Sequence, residues 1–314
     1  MLQYLVILLD DTSVAYCHAD NPLTERNLIP IDFLKKAIVF GMKENLMIQY
    51  VYPDYELPDE YNEVIESIDH VKIGRDVVVL DVVPKSIAKE NVVLRISIAD
   101  FILKQSNIAA LLRQATRLNI CLTDIDSFTD DQQEDYKAAL MTLSSAVIAL
   151  YKSGKRPQIN VLTDRLQLAE MHNCEAGIGN ITIAPNGRFY LCQAFYYDER
   201  IGIDNRLNCH NPSSDWSVGD LENGLHIPNQ QLLKLDHAPL CRHCDAYQCR
   251  RCIWLNHKLT WSCNTPSHQQ CVLAHLERNV SRELQRQLKE AGIVIGNDIK
   301  EISYLDPFDV REKL

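Results

Sequence analysis

Apolar residues in the first half of the chain come in short, nearly unbroken runs and not in alternation. The runs are QYLVILL (3–9), LMIQYVY (46–52), DVVVLDVV (76–83), NVVLRISI (91–98), NICLTD (119–124) and QINVLTD (158–164). Continuous Val, Ile and Leu over a strand's length is the pattern of strands covered on both faces, as in a parallel sheet. Between the runs the apolar period lengthens to that of a helix. IDFLKKAIVFGMKENL (31–46) follows Pro30, and PDEYNEVIESI (58–68) repeats at three to four residues. ADFILKQSNIAALLRQATRLN (99–119) is amphipathic throughout, and 130–154 opens on acidic residues and ends at Gly154. Only the link after 83, PKSIAKE, is too short for a helix of any length. Repeated βα units predict a parallel sheet, open or curled, with chemistry at the carboxyl ends of its strands. Asp10, Asp11, Tyr52, Asp54, Ser97, Thr123 and Asp124 fall near such ends, and each reads first as a loop residue or helix cap.

Beyond 165 the periodicity fades. NITIAPNGRFYLCQAF (180–195) reads as a hairpin about Pro185-Asn186-Gly187, and 198–240 as loop. The last clear element is a helix over 267–292, closed by Gly292. The expected division is therefore 1–165, a partial βα barrel; 166–292, a small cysteine-rich domain with a C-terminal helix; and 293–314, a tail.

Charge narrows the partners. The chain has 314 residues and a formal net charge of −10, which argues against nucleic acid or an anionic membrane surface. No apolar run reaches spanning length, and the apolar start meets Asp10 and Asp11 after about eight residues without a basic n-region. A cytoplasmic chain is expected.

Cysteine changes the picture most. Of eleven cysteines, nine lie between 174 and 271, and CRHCDAYQCRRC (241–252) spaces four of them as C-x2-C-x4-C-x2-C. In a reducing compartment such clustering points to metal and not to disulfides. Thiolates suit zinc or iron–sulfur clusters. The short intervals inside the run, and Cys174, Cys192, Cys263 and Cys271 outside it, fit two four-thiolate sites better than one zinc. Arg242, Arg250 and Arg251 flank the thiols and would offset their negative charge, whereas His257, His268 and His275 lie among the cysteines, where each could support a ligand or serve as a spare one but reads first as a solvated residue.

Cys174-x12-Gly187-x4-Cys192, then Cys241-x2-Cys244-x4-Cys249-x2-Cys252, then Cys271, resembles the SPASM domain that extends many radical SAM enzymes acting on ribosomally made peptides. Two intervals are one residue short of that pattern. The resemblance implies one [4Fe–4S] cluster on Cys241, Cys244, Cys249 and Cys271 and a second on Cys174, Cys192 and Cys252. The fourth ligand of the second would be Cys209, Cys263 or an open iron site. It also implies a six-unit partial barrel ahead of that domain. There the loop after the first strand should carry C-x3-C-x2-C, but DDTSVAYCHADNP (10–22) has only Cys17. Ordinary reductive cleavage of S-adenosylmethionine is therefore not expected. Over LLDDTSVAYCH (8–18), MKENLMIQYVYPDYELP (42–58) and 249–279 the chain is similar to the CXXX repeat peptide maturase family.

That likeness implies a role in maturing a cysteine-containing precursor peptide. The clusters would move electrons or hold a substrate thiolate, and Cys17 is the candidate nucleophile, its plainer reading being a loop or buried cysteine. A second expectation is a non-catalytic peptide-binding or electron-transfer partner of an authentic radical SAM maturase. A third is a zinc-stapled structural protein.

Overall fold

The computed structural model describes residues 2–168, 174–204, 209–210, 215–249 and 251–297, with backbone alone at 203–204 and 209–210. Arg250, the Cys209 side chain and the tail from 298 lie outside the described residues. The chain is mixed α/β, with parallel sheets and eight α-helices among the described residues. It forms two compact units: Met1–Val79 with Glu175–His237 and Trp261–Asn264, and Leu80–Cys174 with Ala238–Thr260 and Thr265–Leu314. These units follow neighbours in space, and so differ from the 1–165, 166–292 and 293–314 division, which remains an expectation about function.

In the first unit β1 (Tyr4–Leu8) leads to α1 (Ile31–Lys43), β2 (Met47–Val51), α2 (Asp59–Ile65) and β3 (His70–Ile73). Helix α1 stops three residues before the expected end because Asn45 turns left-handed (φ 53°) to feed β2. Strand β3, HVKI, escaped the sequence pattern because it is short and carries His70 and Lys72 among its four residues. Leu5, Val6, Ile7 and Leu8 are all buried, as the unbroken run required.

The hairpin joins this same sheet. β8 (Asn180–Ile183) lies parallel to β1 and β9 (Phe189–Tyr190) antiparallel to β8, giving the order β3-β2-β1-β8-β9. Gly187 makes the turn at φ 76°, and a Cβ there would meet the Phe33 ring at 2.8 Å. The expected second arm is short: from Gln193 the chain becomes helix α6 (Gln193–Arg200), most of it buried. Leu5, Ile7, Ile48, Tyr50, Ile181, Ile183 and Phe189 share one core with Leu34, Ala37 and Ile38 of α1.

At the passage to the second unit comes β4 (Val78–Leu80), followed by β5 (Asn91–Ile96), β6 (Arg117–Leu122) and β7 (Gln158–Ile159). Their order is β4-β5-β6-β7, with β5, β6 and β7 mutually parallel. The six expected strands are thus hydrogen-bonded in two sheets and not in one run. The amphipathic stretch 99–119 is also divided, into α3 (Ile98–Leu103) and α4 (Gln105–Leu111), before β6 begins. Ser97 caps α3 by accepting from Asp100 N, and Asp124 accepts from Ile98 N at 2.8 Å. Helix α5 (Gln133–Lys152) packs on α3, α4 and α8 (His268–Glu290). A reciprocal Ser267/Gln270 capping box starts α8. Between them in sequence, α7 (Ile253–Thr260) was not legible, because its buried residues Ile253–Asn256 form one block without helical period.

Candidate metal centre

Loop 241–252 belongs to the second unit and is largely buried. Cys241, Cys244 and Cys252 are buried and Cys249 half-buried. Cys244 N donates to Cys241 O at 3.0 Å, closing a turn between the first two cysteines, and Ala246 N donates to Cys244 Sγ at 3.4 Å. Across the loop, burial and the neighbouring Cys241 push the Cys249 thiol up to about 12. A thiol held that high keeps its proton until a stronger cation replaces it, and a metal ion is such a cation.

Helix α8 fastens the loop. Cys244 Sγ lies 3.7 Å from His275 Nε2, and both groups are buried. Asp245 pairs with Arg278 at 2.7 Å and Arg282 at 2.6 Å. Burial alone would raise the Asp245 carboxyl, but the two guanidiniums outweigh it and hold the carboxyl below its usual range. Residues 271, 275, 278 and 282 recur every three to four positions, so Cys271, His275 and the two arginines share one face of α8. Arg165 joins the loop to α8 as well. Its Nη2 donates to Gln248 O at 3.2 Å and to Glu277 Oε2 at 2.7 Å. Gln248 is left-handed (φ 54°), an unfavourable backbone for a residue with a Cβ, and the guanidinium holds its carbonyl just ahead of Cys249.

The other expected ligands divide between the units. Cys174 N donates to Arg251 O at 3.4 Å, which sets Cys174 beside the backbone leading into Cys252. Cys252 O accepts from Asn256 N at 2.8 Å, so Cys252 opens α7. Asn256 Oδ1 accepts from Gln270 Nε2 at 2.9 Å, tying α7 to the first turn of α8, where Cys271 lies. Cys252 and Cys271 thus sit at positive helix ends, which favour thiolates. Cys192 and Cys263 belong to the first unit, so neither unit by itself assembles the set Cys174, Cys192 and Cys252. In composition the second unit fits a thiolate-held centre. In arrangement it brings one pair of donors into contact, Cys244 with His275; among the described residues no three His, Cys, Asp or Glu side chains already converge to hold a metal ion.

No family model matches the chain, and no curated protein matches it. The residues themselves therefore carry the functional argument. Sequence reasoning passed over Asp245, Arg165 and Glu277, and it read His275 as solvated, whereas α8 turns that ring inward against the loop. For Glu277 a signal existed: it lies four residues after Leu273 and three before Val280, on the apolar stripe of α8. Nothing comparable marked Arg165.

At the carboxyl end of β1, in the first unit, the polar residues are committed to one another. Asp10 accepts from Thr12 N at 2.8 Å and Tyr55 OH at 2.9 Å. Asp11, 2 % exposed, accepts a short bond from Tyr196 OH and pairs with Arg200 at 3.2 Å. Burial and Asp11 raise the Tyr196 phenol well above its ordinary range. Gln193 Nε2 donates to Cys17 Sγ at 3.0 Å. An amide positions a sulfur but does not take its proton, so this contact supports a held cysteine more than an activated one. Tyr196→Phe is expected to destabilise the protein by about 1–3 kcal/mol in a denaturant titration, by removing one partner of a buried carboxylate. An unchanged midpoint would sink that assignment.

Proposed function

We propose that the chain is an iron–sulfur protein of the SPASM type that takes part in maturing a ribosomally made, cysteine-containing peptide of the CXXX repeat kind. The carrying observation is that Cys174, Cys241, Cys244, Cys249, Cys252 and Cys271 all belong to the second unit. Cys241, Cys244, Cys249 and Cys271 would hold one cluster, and Cys174, Cys192 and Cys252 a second. When bound, such a cluster transfers electrons or takes a substrate thiolate at an open iron. The chain's own residues do the holding. Asp245 with Arg278 and Arg282 anchors the loop, Arg165 fixes the turn before Cys249, and the starts of α7 and α8 favour negative charge at Cys252 and Cys271. Since a metal site and its local order form together, closure of the thiols around the ion belongs to metal binding. Each unit also carries parallel strands with helices between them, the βα character that the reading expects.

One observation favours the partner role over independent catalysis. In the loop after β1 Asp10 and Asp11 are tied to Tyr55, Tyr196 and Arg200, and Cys17 is the loop's single cysteine. Three thiolates are needed there to bind a SAM-cleaving cluster. The chain would then bind precursor peptide or pass electrons to a radical SAM maturase.

The test is metal and sulfide content of anaerobically purified protein, followed by incubation with a Cys-x-x-x peptide. Iron and acid-labile sulfide in equal amounts are expected, about eight of each if both sets hold cubanes. Zinc without iron would move the chain to the structural reading. A mass change of the peptide with this protein alone would overturn the partner role.

A further inference from the structure

A polar cleft of about 290 Å³ opens in the second unit, lined by Arg117, Gln158, Asp164, Gln167, Leu168 and Gln248, the residue before Cys249. Gln158 and Gln167 also line a neighbouring hollow of about 350 Å³ with Tyr151, Arg156 and Thr163, so the two form one groove. The groove runs beside β7, the edge strand of its sheet. That edge is closed to strand pairing, because Ile159 N donates to Thr163 Oγ1 and Ile159 O accepts from Thr163 N, both at 2.8 Å. A ligand in the groove therefore meets side chains. Gln158 Oε1 accepts from Arg117 Nη1 at 2.8 Å, which leaves its amide N–H groups to a ligand. Gln167 is exposed, and Gln248 gives Arg165 its backbone carbonyl and not its side chain. A side-chain amide offers both donor and acceptor, the complement of a peptide group.

Charge and strain narrow the ligand further. Arg156 is exposed, and its guanidinium lies 4.7 Å from the centroid of the Tyr151 ring, which steadies it while its edge stays open to an anion. Arg117 is already paired with Asp164. Two guanidiniums against one carboxylate make the groove a positive spot on a chain of net charge −10. Gln248 holds φ 54°, a backbone that suits glycine, and buried Arg165 keeps it there with the guanidinium that also pairs with Glu277. A strained residue that its surroundings over-determine, at a groove, is typical of a ligand clamp. We propose that this groove binds an extended, acidic peptide segment. The amides of Gln158, Gln167 and Gln248 bond its main chain, and Arg156 takes its carboxylate. The peptide is the precursor, brought by Gln248 to the residue before Cys249. Its identity as precursor rests on the proposed function, whereas the preference for acidic peptide rests on the groove alone.

Fluorescence anisotropy of the anaerobically purified full chain with labelled Ser-x-x-x repeat peptides tests this. Serine stands for the cysteine of the repeat, so that no thiol reaches a metal. One x position is glutamate in the first peptide and glutamine in the second. The glutamate peptide should bind about tenfold tighter, the worth of one charge-assisted hydrogen bond. Arg156→Gln should erase that preference. Gln248→Gly should weaken both peptides while thermal stability holds or rises, since glycine suits the left-handed backbone; a purely structural role would leave affinity unmoved. A preference that survives in Arg156→Gln, or a wild-type chain that binds neither peptide, overturns the inference. Binding of a Cys-x-x-x peptide alone would mean that the thiol and not the groove is recognised, so this inference would fail while the proposed function stood. Groove-dependent binding by a chain that takes up no iron would sustain the groove and remove the iron–sulfur reading. Asp298→Asn with Glu301→Gln, in the stretch that follows the groove in sequence, should leave affinity unchanged. Tighter binding there would show the chain's own residues 298–314 competing for the groove and would overturn its assignment to a separate peptide.

Discussion

Glu277→Gln is expected to destabilise the second unit by about 3–5 kcal/mol, the cost of removing one partner of a buried ion pair. Glu277 is 1 % exposed and Arg165 fully buried, so water cannot replace the lost charge. The carboxylate also accepts from Tyr136 OH at 2.7 Å, and the guanidinium donates to Ala274 O and Gln248 O. Helix α5, helix α8 and the cysteine loop therefore meet at one ion pair. Removing both charges should cost less than removing one, because Arg165→Met with Glu277→Leu leaves no bare ion. Urea titration of the single and double variants checks both statements. A Glu277→Gln protein within about 1 kcal/mol of wild type would show that the pair is not a determinant of stability. Because Arg165 also holds the carbonyl before Cys249, the proposed metal reading expects Arg165→Met to weaken metal uptake as well.

Asp245→Asn is expected to cost about as much, and to change the acid limb of stability. Asp245 is 4 % exposed, and its two oxygens are divided between Arg278 and Arg282. The folded carboxyl titrates below its usual value. A depressed folded value means that the unfolded chain takes up the proton first as pH falls. The contribution is therefore complete above the ordinary unfolded value of about 3.9 and fades as pH drops through the lower folded value. Wild type should lose stability through that acid window. The substituted amide carries no charge, so the variant should be weaker at neutral pH and lose less on acidification. Thermal unfolding from pH 2 to 7 reads both. Parallel acid limbs in the two proteins would remove Asp245 from the acid response. The loop anchor would also be weakened, so metal uptake by Asp245→Asn should fall together with stability.

How legible was this in the sequence? The strand runs at 3–9, 46–52, 91–98 and 119–124 all overlap observed strands, because a segment covered on both faces must be largely apolar. Helices α1, α5 and α8 were equally legible, since α1 follows Pro30, 130–154 opens on acidic residues and ends at Gly154, and 267–292 is closed by Gly292. What failed were the elements whose order comes from elsewhere in the chain. Helix α6 is almost wholly buried, so QAFYYDER has no polar face to give it a period. Strand β3 and the two-residue β7 are too short to show one.

For the candidate site, composition alone marked the thiols, since a soft donor repeated at short intervals has few other uses in a reducing compartment. Which thiol meets which donor was beyond it. The sequence by itself determined the βα character, the long terminal helix and the cysteine loop, because propensity, capping and hydrophobic period act within a few residues. Only the tertiary structure decided that the strands divide into two sheets, that β8 lies beside β1, and that Arg165, His275 and the arginine partners of Asp245 meet at the loop. These are contacts between residues far apart in the chain. They are chosen by where the packed elements leave a buried charge or donor in need of a partner, and no local pattern records that choice.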